Sequence, residues 1–122
     1  MIRFVAATIL LFSFVSNTFA DFEKGKKAYK KGDYSTAVKE WRQDALRGNS
    51  ISQYNLGLMY RKGQGVPQDN VMAHMWVNLA GSTLVGDKRK TAIKARDALE
   101  KRMTPKQITK AQRLAREWRP KR

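Results

Sequence analysis

The 122-residue sequence has no cysteine, one histidine and three prolines, and only 10 acidic residues stand against 25 basic ones. Without cysteine the chain has no disulfide, no thiolate metal site and no cysteine nucleophile. A single histidine, His74, excludes a metal centre that needs several imidazole ligands. The sequence therefore predicts a protein with no metal, no cofactor and no catalytic residues, in which packing alone holds the core.

Long apolar runs are also scarce, and the one that exists lies at the N-terminus. Arg3 precedes an uncharged apolar run over residues 4–15, and small residues follow at Thr18 and Ala20. This order is typical of a secretory signal peptide. It predicts a signal peptide over residues 1–20 and an exported chain, periplasmic or secreted. An uncleaved anchor is the alternative, but the run is shorter than the roughly 20 residues of a spanning helix.

The positive charge is concentrated near the C-terminus. The formal net charge is +15, and residues 87–122 hold 14 basic and 4 acidic side chains. Such an excess favours anionic partners. Nucleic acid is the usual partner of a basic patch, but an exported chain does not meet genomic DNA, so no nucleic-acid binding is expected. Anionic lipid head groups, lipopolysaccharide and acidic envelope proteins are the accessible partners.

The rest of the chain is predicted to be helical and repetitive. No stretch alternates apolar and polar residues, so strands are not expected. Two segments, 25–45 and 57–80, resemble each other: each carries an Asp and, four positions later, an Ala, and the period is 36 residues. A period of this length is typical of helix–turn–helix repeats.

Several positions of the repeat have a clear physical role. Gly57 is expected where antiparallel helices approach closely, Asp33 and Asp69 are expected to cap helices, and Gly63 and Gly65 to adopt positive φ. Six helices are predicted. The first five cover residues 22–31, 34 to the Gly48–Asn49 pair, 50–62, 70 to beyond 80, and 87–103. The sixth begins with a capping box at Thr104–Gln107 and continues through Trp118. The buried stripe of the sixth helix is predicted to be Ile108, Ala111, Leu114, Ala115 and Trp118. The whole domain is predicted to cover residues 21–118, followed by a frayed basic tail over 119–122.

The segment from Tyr54 to Asp69 contains Leu-Gly-x-x-Tyr-x-x-Gly-x-Gly-Val-x-x-Asp, followed by Ala73 and Trp76. This pattern resembles the Sel-one-like repeat family, a relative of the tetratricopeptide repeats. The resemblance implies an all-α fold, a short right-handed α-solenoid of about three antiparallel helix pairs, preceded here by the signal peptide helix. It also implies a scaffold for protein–protein contacts without catalysis. The chain departs from the pattern at Ser50 and Ser52, where alanine is usual, and in the 81–86 link.

The same resemblance predicts a binding surface, because the first helix of each pair lines the concave face in this superfamily. An apolar strip with basic ends would suit a peptide that carries acidic residues. The alternative is that the fifth and sixth helices simply cover Ile51 and Leu58. The candidate protein-binding residues are Lys26, Tyr29, Lys30, Ile51, Tyr54, Leu58, Arg61 and Lys62.

The remaining titratable residues are assigned to structure. His74 is expected on a polar surface stripe of its helix, and Asp97 and Glu100 are expected to support their helix through Lys101 and Arg96. The leading hypothesis is a non-catalytic exported adaptor that binds a protein or peptide. An electrostatic binder of an anionic envelope component is the alternative. A cell-wall or β-lactam hydrolase is less favoured, since the β-lactamase-like relatives are cysteine-rich. The oligomeric state is left open.

Overall fold

The computed structural model describes residues 22–122, so the predicted signal peptide at 1–20 lies outside the described residues. The described part is all-helical, with no strand among residues 22–122. None of its helices is long and apolar enough to span a bilayer. The helices are α1 (22–30), α2 (Tyr34–Leu46), α3 (Ser50–Lys62), α4 (Asn70–Thr83), α5 (Gly86–Glu100) and α6 (Pro105–Glu117).

The helices form a short α-solenoid centred on α4, which confirms the predicted fold class. Each of α2, α3 and α4 packs on the next helix along the chain, and α6 returns to pack on α4. One hydrophobic cluster contains Trp41 and Trp76, the paired tryptophans of the repeat. A second cluster joins α4 to α5 and α6 through Val77, Leu99 and Ala111. Because α4 contributes to both clusters, it fixes the position of every other helix from α3 onwards.

Side-chain caps begin four of the helices. Asp33 accepts a hydrogen bond from the Thr36 amide at 3.3 Å, and Asp69 accepts one from Met72 at 3.1 Å. The Thr36 hydrogen bonds, from its side chain and then its backbone, lower the pKa of Asp33. Asn49 caps α3, and Thr104 opens α6 with the predicted capping box. The predicted caps are thus confirmed. Asn49, which was expected to end α2, is the N-cap of α3.

Gly57 allows α3 and α4 to touch backbone to backbone. A Cβ at this position would lie 2.7 Å from Val77 Cγ1 and 3.1 Å from the Ala73 carbonyl oxygen. At the far end of α3, Gly63 and Gly65 adopt φ of 69° and 73°, as predicted. This left-handed backbone turns the chain from α3 towards α4 without the steric penalty that a Cβ would bring.

The 81–86 link and the end of α5 differ from the prediction. Gly81 lies inside α4, and Gly86 begins α5 one residue earlier than expected. The helix ends at Glu100 instead of Met103, because Pro105 disfavours helical backbone in the residue before it and the chain must first turn. Across α3 and α4, the Ser50 hydroxyl hydrogen-bonds with Thr83, so this departure from the repeat pattern is used in packing.

The end of the chain makes more contacts than predicted. Residues 119–122 were expected to fray, but the Lys121 amide donates to the Leu46 carbonyl at 2.7 Å. Trp118 packs edge-on against Trp76, with ring centroids 6.2 Å apart. The predicted buried stripe of α6 faces the core, although Ala111 alone is fully buried there, since α6 is covered on one side only.

The surface position predicted for His74 is wrong: its side chain is 0% exposed. Its Nε2 lies 2.9 Å from Glu100 Oε1, while Nδ1 has no partner among the described residues. His74 is buried because α3, α5 and α6 all pack on α4, leaving little of its circumference free. Glu100 of α5 therefore bonds to His74 of α4 instead of to Arg96 of its own helix. Asp97 pairs with the adjacent Arg96 at 3.1 Å instead of with Lys101.

Replacing Gly57 by alanine should destabilise the fold, because the new methyl group meets backbone atoms that cannot move aside. We expect a loss of about 1–3 kcal/mol in the free energy of unfolding, measured by urea denaturation. The matched control is Gly81→Ala, whose Cβ would lie 3.6 Å from Ala92 Cβ, an ordinary contact. It should be neutral or stabilising by up to about 1 kcal/mol. Equal stability of the two variants would contradict the α3–α4 packing.

Removing the Glu100 carboxylate should leave His74 Nε2 buried without its partner. Glu100→Ala is expected to cost about 1–3 kcal/mol of unfolding free energy. The control, Asp97→Ala, removes an exposed carboxylate from the same helix and should stay within about 0.5 kcal/mol of the parent. Similar losses in both variants would mean that the His74–Glu100 bond contributes no stability.

Candidate protein-binding surface

The first helices of successive pairs, α1, α3 and α5, border two grooves on one face of the solenoid. Residues of α1 and α3 line one groove together with Trp41 of α2. Two separate concavities lie between α3 and α5, one near the beginnings and one near the ends of the two helices, and we treat them as the two ends of a second groove. We call these the α1–α3 groove and the α3–α5 groove. All eight residues proposed from the sequence line one or the other.

The α1–α3 groove has an aromatic and aliphatic floor and a volume of about 400 Å³. Tyr29 stacks at a tilt against Trp41, with ring centroids 5.7 Å apart. The Trp41 indole Nε1 donates to the Phe22 carbonyl oxygen at 3.3 Å, which fixes the orientation of the ring. Leu58 and Met59 of α3 complete the floor. These rings and side chains offer a preformed apolar surface.

The edge of the α1–α3 groove is positively charged. Lys26 and Lys30 project from α1, Lys62 projects from α3, and all three are exposed. No carboxylate of residues 22–122 lines the groove. Gln64, in the loop after α3, has a buried side-chain oxygen with no hydrogen-bond partner in the described part of the chain. The groove can therefore bind an apolar segment that carries negative charge.

The α3–α5 groove differs between its two ends. Ile51 and Tyr54 lie beside Leu84 near the beginnings of the two helices. Arg61 and Lys62 lie near the ends of the helices, opposite the last turn of α5. Ile51 remains 39% exposed, so α5 flanks this residue without covering it. Leu58 lines the α1–α3 groove, to which no residue of α5 or α6 contributes.

Sequence reasoning missed several lining residues. Trp41 and Met59 belong to the core and also line the α1–α3 groove, and a periodic apolar stripe does not show which buried side chains border a groove. Extending the repeat into 86–100 would have indicated that α5 lies beside α3. The missed residues of the α3–α5 groove are Leu84, Asp87, Lys88, Thr91, Ala98, Leu99, Lys101 and Arg102.

No three histidine, aspartate or glutamate side chains of residues 22–122 lie close enough to hold a metal ion. The buried His74 is engaged by Glu100 within the core and does not line either groove. The chemistry offered by this face is therefore apolar contact and positive charge.

Comparison with known proteins gives a family-model match and a similar curated protein. The family model described as Sel1 repeat matches residues 50–82, which cover α3, the glycine-containing loop and nearly all of α4. The exopolysaccharide production negative regulator of Rhizobium leguminosarum bv. viciae is 41% identical over 58 residues, or 48% of this chain. The match covers 22% of that regulator.

A solved structure extends the likeness to most of the chain. It is c5321, a protective antigen present in uropathogenic Escherichia coli strains and displaying an SLR fold. The TM-score is 0.73 and the sequence identity 30%, over 83% of this chain and 22% of c5321. This chain thus spans about a fifth of the length of both proteins that it matches.

Proposed function

We propose that the chain, which carries a Sel1 repeat at residues 50–82 and is similar to a solved structure with an SLR fold, is an exported, non-catalytic adaptor that binds a protein partner. Sel1-like repeats are helical scaffolds for protein–protein interaction. The observation that carries the proposal is the α1–α3 groove, where an aromatic floor is bordered by lysines and by no carboxylate of residues 22–122. Apolar floors with charged edges are typical of peptide-binding surfaces.

The partner is proposed to be acidic. Lys26, Lys30 and Lys62 would lie close to carboxylates of a segment bound in the α1–α3 groove. The net charge of +15 would also accelerate encounter with a negatively charged protein. A regulator can act through binding alone, so the name of the Rhizobium relative is compatible with an adaptor role.

Export is proposed from residues 1–20, whose order of charge, apolar run and small residues is that of a signal peptide. The mature protein would then begin at Asp21 and act in the periplasm or outside the cell. An exported location brings acidic envelope proteins within reach.

A second candidate function is the binding of an anionic envelope component such as lipid head groups or lipopolysaccharide. The observation that favours it is the outer face of α6, where Lys106, Lys110 and Arg113 line one shallow surface. Arg113 is partly engaged by Glu117 at 3.6 Å. This face lies on a different helix from the two grooves, so variants can separate the two functions.

A photo-crosslinking residue at Leu58 should capture a partner in intact cells, whereas one at the exposed Gln112 of α6 should not. With the captured partner purified, Lys26→Glu combined with Lys30→Glu should weaken binding by about tenfold at low salt, because two attractions become repulsions. Binding should also fall as salt rises.

The matched control is Lys106→Glu combined with Lys110→Glu, which makes the same change of net charge on α6. Near-parental binding by this control would support the groove as the site. If both double variants weaken binding equally, the groove proposal is wrong. Loss of binding to anionic vesicles in the α6 variant alone would instead support the second candidate.

Export predicts a processed N-terminus. Mass spectrometry of the protein isolated from the bacterial periplasm or culture medium should find a chain that starts at Asp21. Replacing Ala20 with a large charged residue, as in Ala20→Arg, should leave an unprocessed chain. Recovery of the intact Met1 form from the cytosol would refute export while leaving the adaptor role standing.

A further inference from the structure

The α3–α5 groove carries an apolar pocket at one end and a cationic cluster at the other. The apolar pocket, of about 280 Å³, is lined by Ile51, Tyr54 and Leu84, with Asp87, Lys88 and Thr91 of α5 beside them. The other end is a wider concavity of about 680 Å³. It contains the four side chains that we call the cationic end: Arg61, Lys62, Lys101 and Arg102.

The charges of the cationic end are not neutralised within the described chain. None of its four side chains forms an ion pair with a carboxylate of residues 22–122. Glu100 is adjacent in sequence, but its Oε1 is bonded to His74 and it forms no ion pair with any of the four side chains. The ends of α3 and α5 contribute about −0.5 of a charge each, which offsets only a small part of the four positive charges. An uncompensated cluster of this size attracts an anionic group.

The two ends are separated by a distance that can be read from α3. Ile51 and Arg61 are ten residues apart on one helix, so they lie about 15 Å apart along its axis at about 1.5 Å per residue. An extended peptide covers this length with about four to five residues. The apolar surface is confined to one end of the groove, so a single anchor of an extended segment can use it without the repeated apolar face of a helix.

We propose that the α3–α5 groove binds an extended acidic peptide whose apolar anchor lies about four to five residues from a run of carboxylates. The anchor fills the pocket at Ile51, Tyr54 and Leu84, and the carboxylates bind the cationic end. An anionic polysaccharide or a phosphate would engage the cations and leave the apolar pocket empty, so a peptide uses more of the surface. This inference rests on the proposed adaptor function and names the partner's chemistry.

The test uses short fluorescein-labelled peptides with one leucine separated by about four serine and glycine residues from a run of glutamates, in both chain directions. At low salt, one direction should bind the purified protein about tenfold more tightly than versions with leucine replaced by serine or the glutamates by glutamine. Amide shifts of ¹⁵N-labelled protein should change at both ends of α3 and α5. Equal binding of the serine version would overturn the proposal, since a pure polyanion would then suffice.

Variants locate the binding. Arg61→Gln with Arg102→Gln should weaken the best peptide by about tenfold, and Ile51→Ser, a change at a partly exposed position, should remove the advantage of leucine. Lys106→Gln with Lys110→Gln takes the same charge from α6 and should leave affinity nearly unchanged. Equal weakening by both double variants would refute the α3–α5 groove as the binding site.

This inference can fail while the proposed function stands. Crosslinks at Leu58 without peptide binding at the α3–α5 groove would refute the inference and leave the adaptor function intact.

Discussion

The close approach of α3 and α4 at Gly57 is the constraint on which the rest of the structure depends. With no Cβ there, Val77 and the Ala73 carbonyl come within van der Waals reach of the α3 backbone. This depth of packing lets α4 serve as a shared support for α3, α5 and α6. The spacing of α3 and α5, and with it the existence of a groove between them, follows from their common contact with α4.

The few acidic residues are used in ways that leave the grooves positive. Near the end of α5, Glu100 is bonded to the buried His74, and Asp97 is paired with its neighbour Arg96. The lysines and arginines at the edge of the α1–α3 groove and at the cationic end therefore form no ion pair with a carboxylate of residues 22–122, while Asp87 lines the other end of the α3–α5 groove. Such charges cost little in water, but they raise the local potential and favour an anionic partner. The small number of acidic residues in the sequence is thus reflected locally, in the positive charge at the edge of the α1–α3 groove and at the cationic end of the α3–α5 groove.

Features governed by local geometry were predictable from the sequence. The caps at Asp33, Asp69 and Thr104 and the glycine turns at Gly63 and Gly65 depend on a few neighbouring residues, and all were predicted. His74 was misplaced because its burial depends on how many helices surround α4, which no stripe on α4 reveals. For the candidate site, knowing which positions of α1 and α3 point outward was sufficient to select residues that line the grooves. The fifth helix was considered only as a cover of Ile51 and Leu58, and its part in lining the second groove was missed, since that part depends on where α5 rests against α4 and where it ends.

The hydrogen bond from Lys121 to Leu46 joins parts of the chain that are remote in sequence. In an open solenoid each repeat contacts only its neighbours, so terminal repeats can melt one at a time. Here the last residues are tied to the end of α2, and Trp118 contacts Trp76. Loss of either terminal hairpin would expose the other, which couples local melting at the two extremities. A protein this small would consequently lose its structure in a single cooperative transition, with no half-melted array at equilibrium.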